Sequence, residues 1–176
     1  ATDGARMTGR SVAPAGAALS TYAYERGTWR DNQLYDSLLP GPDGDHWYAA
    51  DLRVAPAPPS QPATAPVTLT VVITPGLMLA SAPASLTVAG SSYLDAAHTL
   101  RVWMAGTPAT ATWGGLGDWS QTLNFPKPAR GMLVTLPPTS KADAYEIDSV
   151  EWLVPVSLAS VGRGAVFEGR AGDWLY

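Results

Sequence analysis

The chain has 176 residues, which suits one domain with an appendage or two very small domains. Its net charge of −4 at pH 7 argues against general nucleic-acid binding, which needs a basic surface that releases counterions from phosphates. The absence of cysteine excludes disulfides and cysteine metal sites, and no apolar run reaches the roughly 18 residues that a membrane-spanning helix needs.

Turn-forming residues are abundant and charged residues are scarce. The chain contains 17 glycines and 16 prolines, while charged residues make up 15% of it, against a usual value of about 25%. This composition favours short strands joined by many turns over long helices.

The first 45 residues are predicted to form an extended arm with one short helix. Residues 1–20 are small and polar, and we expect them to be ordered only by a partner. Thr28 and Asp31 form a weak variant of a capping box and Pro40 would end a helix, so a helix is predicted at 29–39. A helix of this length is not stable alone and has to dock on another surface.

Apolar and polar residues alternate with a period of two through much of the remaining chain, as expected for strands. The segments with this pattern, or with a short version of it, are 47–54, 67–74, 86–88, 99–104, 132–136, 145–156, 165–168 and 173–176. No segment with a helical period lies between the strands, so a parallel sheet is not expected. We therefore predict an all-β fold for residues 46–176, an antiparallel β-sandwich or jelly roll with an extended N-terminal arm and at most one short helix.

The longest predicted strand changes phase once. Its apolar residues fall on odd positions at Tyr145 and Ile147 and on even positions from Val150 onward. Because side chains alternate across a sheet, a slip of one residue predicts a β-bulge or a strand break near Asp148–Ser149.

Residues 55–66 form a run of Pro, Ala, Ser, Thr and Gln that favours extended backbone. The 54 residues before this run have too few large apolar positions to build a core of their own. We interpret the run as a long loop within one domain rather than as a linker between two domains.

The candidates for nucleophilic or metal chemistry are weak. His46 and His98 are interpreted as structural histidines with local hydrogen bonds, because no GxSxG motif accompanies them. Asp43, Asp45 and Asp51 form a weak calcium candidate that lacks the later glycine and the terminal glutamate of a calcium loop.

Three acidic residues near the end of the chain, Glu146, Asp148 and Glu151, could also be imagined as a glycosidase pair. Glu146 and Asp148 share a strand face opposite Tyr145 and Ile147, so a solvated face is the better interpretation. The sequence therefore predicts no catalytic residue, no enzyme activity, no cofactor and no metal beyond the weak calcium candidate.

Three of the seven tryptophans lie in the segment RVWMAGTPATATWGGLGDWS. Trp103 falls on the polar side of its predicted strand, and glycines surround Trp113 and Trp119. The three form a possible surface aromatic patch that would stack on sugar rings or anchor a protein contact. The alternative, that these rings pack inside a covered sheet, stays open.

Aromatic and apolar residues recur through the predicted arm, and we predict that they bind a partner. They are Tyr22, Tyr24, Trp29, Leu34, Tyr35 and Leu38. In general organisation, the segment STYAYERGTWRDNQLYD and the strands within 67–156 resemble small β-rich structural proteins of tailed bacteriophages, in which an arm laces neighbouring subunits.

The resemblance implies a virion component, either a head cement protein or a tail protein, assembled in the host cytoplasm. Its partners would be protein subunits in a homo-oligomer, without direct contact to nucleic acid or membrane. The alternative function is that of a secreted, extracellular carbohydrate-binding β-sandwich that uses exposed tryptophans.

Overall fold

The computed structural model describes residues 22–39, 41–42, 44–54, 67–137 and 142–157. These residues form eleven strands and no helix, so the all-β prediction is confirmed. The strands are β1 Tyr22–Arg30, β2 Leu34–Tyr35, β3 Trp47–Tyr48, β4 Ala50–Val54, β5 Val67–Val72, β6 Ala84–Ser92, β7 Ala97–Met104, β8 Thr107–Gly114, β9 Gly117–Phe125, β10 Gly131–Leu136 and β11 Asp143–Ser157. Since no helix is present, the described residues contain none that could cross a membrane.

The strands build two antiparallel layers with jelly-roll topology. Sheet 1 has the order β1-β11-β6-β9, with β4 also paired to β11, and sheet 2 has the order β5-β10-β7-β8. Successive strands from β4 onward change sheets at almost every step, which gives two four-stranded orders, β4-β11-β6-β9 and β5-β10-β7-β8. This arrangement of eight strands in two sheets is that of a jelly roll.

The core lies between the two sheets because inward positions of each strand are apolar. In β7, Leu100, Val102 and Met104 are buried, while Arg101 and Trp103 between them are exposed. The facing strands show the same alternation, and their inward side chains form one hydrophobic core cluster with residues from both sheets. Period-two patterning in the sequence therefore predicted the inner face correctly.

Strand β11 is the central strand of sheet 1 and pairs with three others. One of its edges pairs with β6, and its other edge pairs with β4 over Asp143–Ile147 and with β1 over Ser149–Ser157. The pairing with β6 shifts between Ile147 and Ser149, so the predicted β-bulge is confirmed. The bulge leaves Asp148 as the extra residue on the long strand.

The predicted helix at 29–39 is wrong. Strand β1 occupies Tyr22–Arg30 and pairs along its whole length with β11, while Leu34 and Tyr35 form β2. Pairing with the edge of β11 gives backbone hydrogen-bond partners to the nine-residue strand β1. This pairing outweighs the weak local capping signal that predicted a helix.

The boundary of the folded body also differs from the prediction of an arm over residues 1–45. Residues 22–30 are an integral strand of sheet 1, and Ala23 and Tyr24 are buried. Residues 1–21, the loop at 55–66 and the final strands predicted at 165–168 and 173–176 lie outside the described residues.

Candidate functional site

Strands β2 and β3 form a small hairpin, here called the β2–β3 hairpin, that is separate from both sheets. The backbone N–H of Asp36 donates to the carbonyl of His46 at 2.9 Å, and His46 Nδ1 donates back to the Asp36 carbonyl at 2.8 Å. The Asp45 carboxylate accepts the N–H of Trp47 at 2.8 Å, and Gly44 adopts a left-handed φ of 84°. His46 is thus a structural histidine with local hydrogen bonds, as predicted.

The hairpin exposes large apolar side chains to solvent. Leu34 is 37% exposed, Tyr35 60%, Leu38 86% and Trp47 41%. The rings of Tyr35 and Trp47 lie opposite each other across β2 and β3, with centroids 5.2 Å apart in an edge-to-face contact. Leu34 pairs with the buried Tyr48, so it lies on the opposite face of the hairpin from Tyr35 and Trp47. We call Tyr35 and Trp47, together with the exposed Leu38 of the loop that follows β2, the hairpin patch.

The opposite side of the hairpin is anchored on sheet 1. Tyr48, which is fully buried, donates its hydroxyl to the Leu39 carbonyl at 3.0 Å, a bond within the hairpin. The N–H of Ala49 donates to the Ile147 carbonyl at 2.8 Å, next to the bulge of β11. The hydroxyl of Tyr93, in the β6–β7 loop, donates to Asp36 Oδ2 at 2.8 Å.

An acidic row crosses the outer face of sheet 1 beside this anchor. The register places four residues side by side on β4, β11, β6 and β9, namely Asp51, Glu146, Ser91 and Asp118. Glu146 is 3% exposed and Asp148 1%, so the interpretation of a solvated face is wrong for both residues. Asp148 pairs with Arg30 of β1 at 2.9 Å. Burial raises the pKa of Glu146, and the charges of Asp36 and Asp51 raise it further against the opposing influence of Tyr93 and Arg53.

Two of the three residues of the weak calcium candidate, Asp45 and Asp51, lie in the part of the chain that the structure describes. Asp43 lies outside the described residues, Asp45 accepts a hairpin backbone N–H, and Asp51 pairs with Arg53 at 2.5 Å. Among the residues that the structure describes, no three acidic or histidine side chains are grouped closely enough to hold a metal ion.

The structure separates the three tryptophans that were predicted to share a surface patch. Trp113 and Trp119 stack on each other at 4.2 Å, and Trp119 is only 6% exposed. Trp113 also donates its Nε1–H to Ser92 Oγ at 2.9 Å. These two rings belong to the inside of the fold, whereas Trp103 is 38% exposed on the outer face of sheet 2.

Trp103 lies in a row of apolar and polar side chains on that outer face. Leu133 of β10 lies directly opposite it on one side, Pro108 of β8 lies opposite it on the other, and Thr70 of β5 extends the row. Arg101, one pleat away on the same face, is exposed beside Thr110.

Of the six residues predicted to bind a partner, Leu34, Tyr35 and Leu38 are exposed, and the other three pack on the body. Tyr24 is 6% exposed, Tyr22 contacts it edge to face, and Trp29 packs against the core. Trp47 completes the exposed group, and the sequence analysis missed it. The signal available was its alternation with Tyr48, which puts one ring inside and the other outside.

His98 was predicted to be a structural histidine with local hydrogen bonds, but its carboxylate partner lies in the other sheet. It is fully buried, and its Nδ1 lies 2.6 Å from Asp143 Oδ1 of β11. Its Nε2 donates to the carbonyls of Leu94 at 2.9 Å and Gly115 at 3.2 Å. The distant carboxylate partner is invisible in a local sequence pattern.

Comparison with known proteins shows a similar fold in solved structures. No protein-family model matches the chain, and no curated protein matches it. The chain is similar to part of dimeric latent PorU from Porphyromonas gingivalis, with 13% identity, a TM-score of 0.54 and coverage of 83% of this chain but 14% of the PorU chain. It also matches the CBM36-1 domain of a multidomain xylanase from the hindgut metagenome of Trinervitermes trinervoides, with 18% identity, a TM-score of 0.36 and coverage of 52% of this chain and 72% of that domain. The first similarity shows the β-rich fold alone.

Proposed function

We propose that this chain is a non-enzymatic structural protein that joins a larger protein assembly through the hairpin patch. The observation that carries the proposal is the exposed pair of Tyr35 and Trp47, with the exposed Leu38 three residues after Tyr35, on a hairpin whose inner side is anchored. Apolar groups at this exposure are typical of contact surfaces, and tyrosine and tryptophan dominate the binding energy of protein interfaces.

The partner that we propose is a second copy of the same chain. Most soluble assemblies are homo-oligomers with a two-fold contact, in which one patch meets itself. The chain carries a net charge of −4, so two copies repel at long range, and a neutral aromatic patch offers a contact that avoids this repulsion. A virion, as head cement or tail component, is the assembly that we propose from the resemblance in general organisation.

Replacing both patch rings tests this role. The double variant Tyr35→Ser, Trp47→Ser is expected to weaken self-association by at least about 30-fold, because truncating an interface anchor costs about 2 kcal/mol or more. Native mass measurement over a dilution series reports the monomer–oligomer equilibrium. Leu116→Ser, which removes an apolar side chain that is 62% exposed elsewhere, is the matched control and should leave the equilibrium unchanged.

A wild-type chain that stays monomeric up to about 1 mM, where association would be worth only about 4 kcal/mol, would contradict self-association. Equal weakening by Leu116→Ser would show that general surface hydrophobicity, and not the patch, drives it.

A second candidate function, carbohydrate binding, is favoured by one observation. Trp103 is exposed on the outer face of sheet 2, where Arg101 lies two residues earlier on the same strand, Thr110 lies opposite Arg101, and Thr70 lies two strands away in the same row. A ring that stacks on a sugar, with hydroxyl and guanidinium donors beside it, is the chemistry that a glycan surface requires.

Titration with soluble polysaccharides separates this candidate from the first. If glycans bind here, tryptophan emission changes on addition of the sugar, and Trp103→Ala loses the response while Leu77→Ala, also exposed, keeps it. We expect the loss of the stacking contact alone to lower the affinity roughly 2- to 12-fold, since contacts of this kind contribute about 0.5–1.5 kcal/mol beyond the buried area of the ring. Absence of any response across a glycan array rejects the carbohydrate function.

A further inference from the structure

The β2–β3 hairpin is tied to the body through Asp36, which is a junction of several hydrogen bonds. Its Oδ1 accepts the N–H of Leu38 at 2.7 Å, and its Oδ2 accepts the Tyr93 hydroxyl at 2.8 Å. These hydrogen bonds, with that of Leu38 first, lower the pKa of Asp36. An ionised Asp36 is therefore the form that holds the hairpin on the body.

Glu146 lies underneath this junction with an incomplete set of partners. Its Oε2 is buried and has no hydrogen-bond partner among the described residues, and the cross-strand neighbour Asp51 has a buried oxygen, Oδ1, in the same condition. The Tyr93 hydroxyl interacts with both Glu146 and Asp36, but it has a single proton to donate. A carboxylate left this way in a buried position is costly, whereas a protonated carboxyl group carries its own donor.

The charges around Glu146 also favour its protonated form. Arg53 is the cation of the cluster, and its guanidinium carbon lies 4.5 Å from the centre of the Tyr93 ring while its Nε pairs with Asp51. Asp36 from the hairpin and Asp51 from β4 are the anions that face Glu146, and Asp118 of β9 lies farther along the row beyond Ser91. A charged Glu146 would add a further anion to a group with one cation.

We propose that a proton on Glu146 acts as a latch for the β2–β3 hairpin, so that the hairpin patch is held in place while Glu146 is neutral and loosens when it ionises. The consequence for assembly rests on the proposed function of the patch. The latch itself is a property of the isolated chain.

The direction of the pH effect follows from the two carboxyl groups. The pKa of Glu146 is raised in the docked state by burial, so its contribution is fully present below the ordinary pKa of 4.5 and is lost as the pH rises through the raised value. The pKa of Asp36 is lowered, so its contribution is present above 3.8 and is lost as the pH falls through the lowered value. The hairpin is therefore held most firmly in mildly acidic solution.

Native-state amide hydrogen exchange tests the latch, with protection factors corrected for intrinsic exchange. The reporters are the hairpin amides of Asp36 and Ala49, which donate to the carbonyls of His46 and Ile147, and the core amide of Val102 is the internal reference. As the pH rises, wild-type hairpin protection should fall about tenfold for each unit that separates the pKa of Glu146 in the docked and released states. Glu146→Gln, which keeps a neutral side chain of the same shape, should hold the protection constant.

Tyr93→Phe provides a second arm, because it removes the hydroxyl that joins Asp36 to Glu146 without changing the ring under Arg53. This variant should show reduced hairpin protection and a weakened dependence on pH. The imidazole of His46, whose Nδ1 donates to the Asp36 carbonyl, is a further ionisable group in the hairpin.

Protection that does not change with pH in the wild type, or that falls equally in Glu146→Gln, overturns the latch. Neither result touches self-association through the patch, which native mass measurement reports independently. A working latch in a chain that never associates would instead reject the proposed function alone.

Discussion

At the residue scale, two classes of buried polar group stabilise this jelly roll in different ways. Glu146 and its neighbours Asp36, Asp51 and Tyr93 lie between the hairpin and sheet 1. His98 and Asp143 instead connect sheet 2 to sheet 1 inside the fold. His98 Nε2 can only donate, because both of its neighbours are carbonyl oxygens. A proton is therefore also needed between Nδ1 and the Asp143 carboxylate, so the two side chains form one hydrogen-bonded pair.

Removing one member of this pair should cost more than removing both. Asp143→Leu leaves the imidazole without its partner in a fully buried position, and we expect a loss of about 3–5 kcal/mol in the free energy of unfolding. The double variant His98→Leu, Asp143→Leu should lose less than the sum of the two single leucine variants. Urea denaturation of all four chains measures the cycle, and strict additivity would show that the pair is not coupled.

At the scale of elements, the bulge of β11 organises the region on which the hairpin sits. It lets one strand serve β4 before the bulge and β1 after it, and it brings the Glu146 carbonyl close to Gly90 of β6. A side-chain carbon on residue 90 would collide with that carbonyl oxygen, which belongs to the backbone and cannot rotate away. The backbone path of the bulge therefore requires glycine at position 90.

Gly90→Ala is expected to destabilise the chain by about 1–3 kcal/mol, the usual cost of forcing an extra carbon into packed structure. The matched control is Gly131→Ala in β10, where an added carbon meets no atom within 4 Å. The control should stay within about 1 kcal/mol of the wild type or gain slightly, since alanine loses less backbone freedom. Equal losses in both variants, measured by chemical denaturation, would contradict the packing argument.

At the scale of the whole molecule, the two sheets separate the candidate surfaces. The hairpin patch lies above the outer face of sheet 1, and Trp103 stands on the outer face of sheet 2, with the core between them. One copy could therefore use both surfaces at once without competition. Strand β1 adds its edge to sheet 1, so residues that sequence patterns assigned to an arm are part of the framework that carries the hairpin.

The sequence by itself determined the class of fold, the inward face of most strands and the position of the bulge. All three follow from a period-two pattern, which is local and needs only neighbouring residues to be visible. Trp103 was correctly placed on the outer side of β7 for the same reason.

Only the tertiary structure decided which distant residues meet. Whether 22–30 would form a strand depended on the free edge of β11, more than 110 residues away, and the fate of Trp119 depended on stacking with a residue of the other sheet. The same holds for Glu146, whose burial comes from a hairpin and a loop that local patterning cannot bring together. Contacts of this kind are set by the closure of long loops and by the topology of the two sheets, and a local pattern carries no record of either.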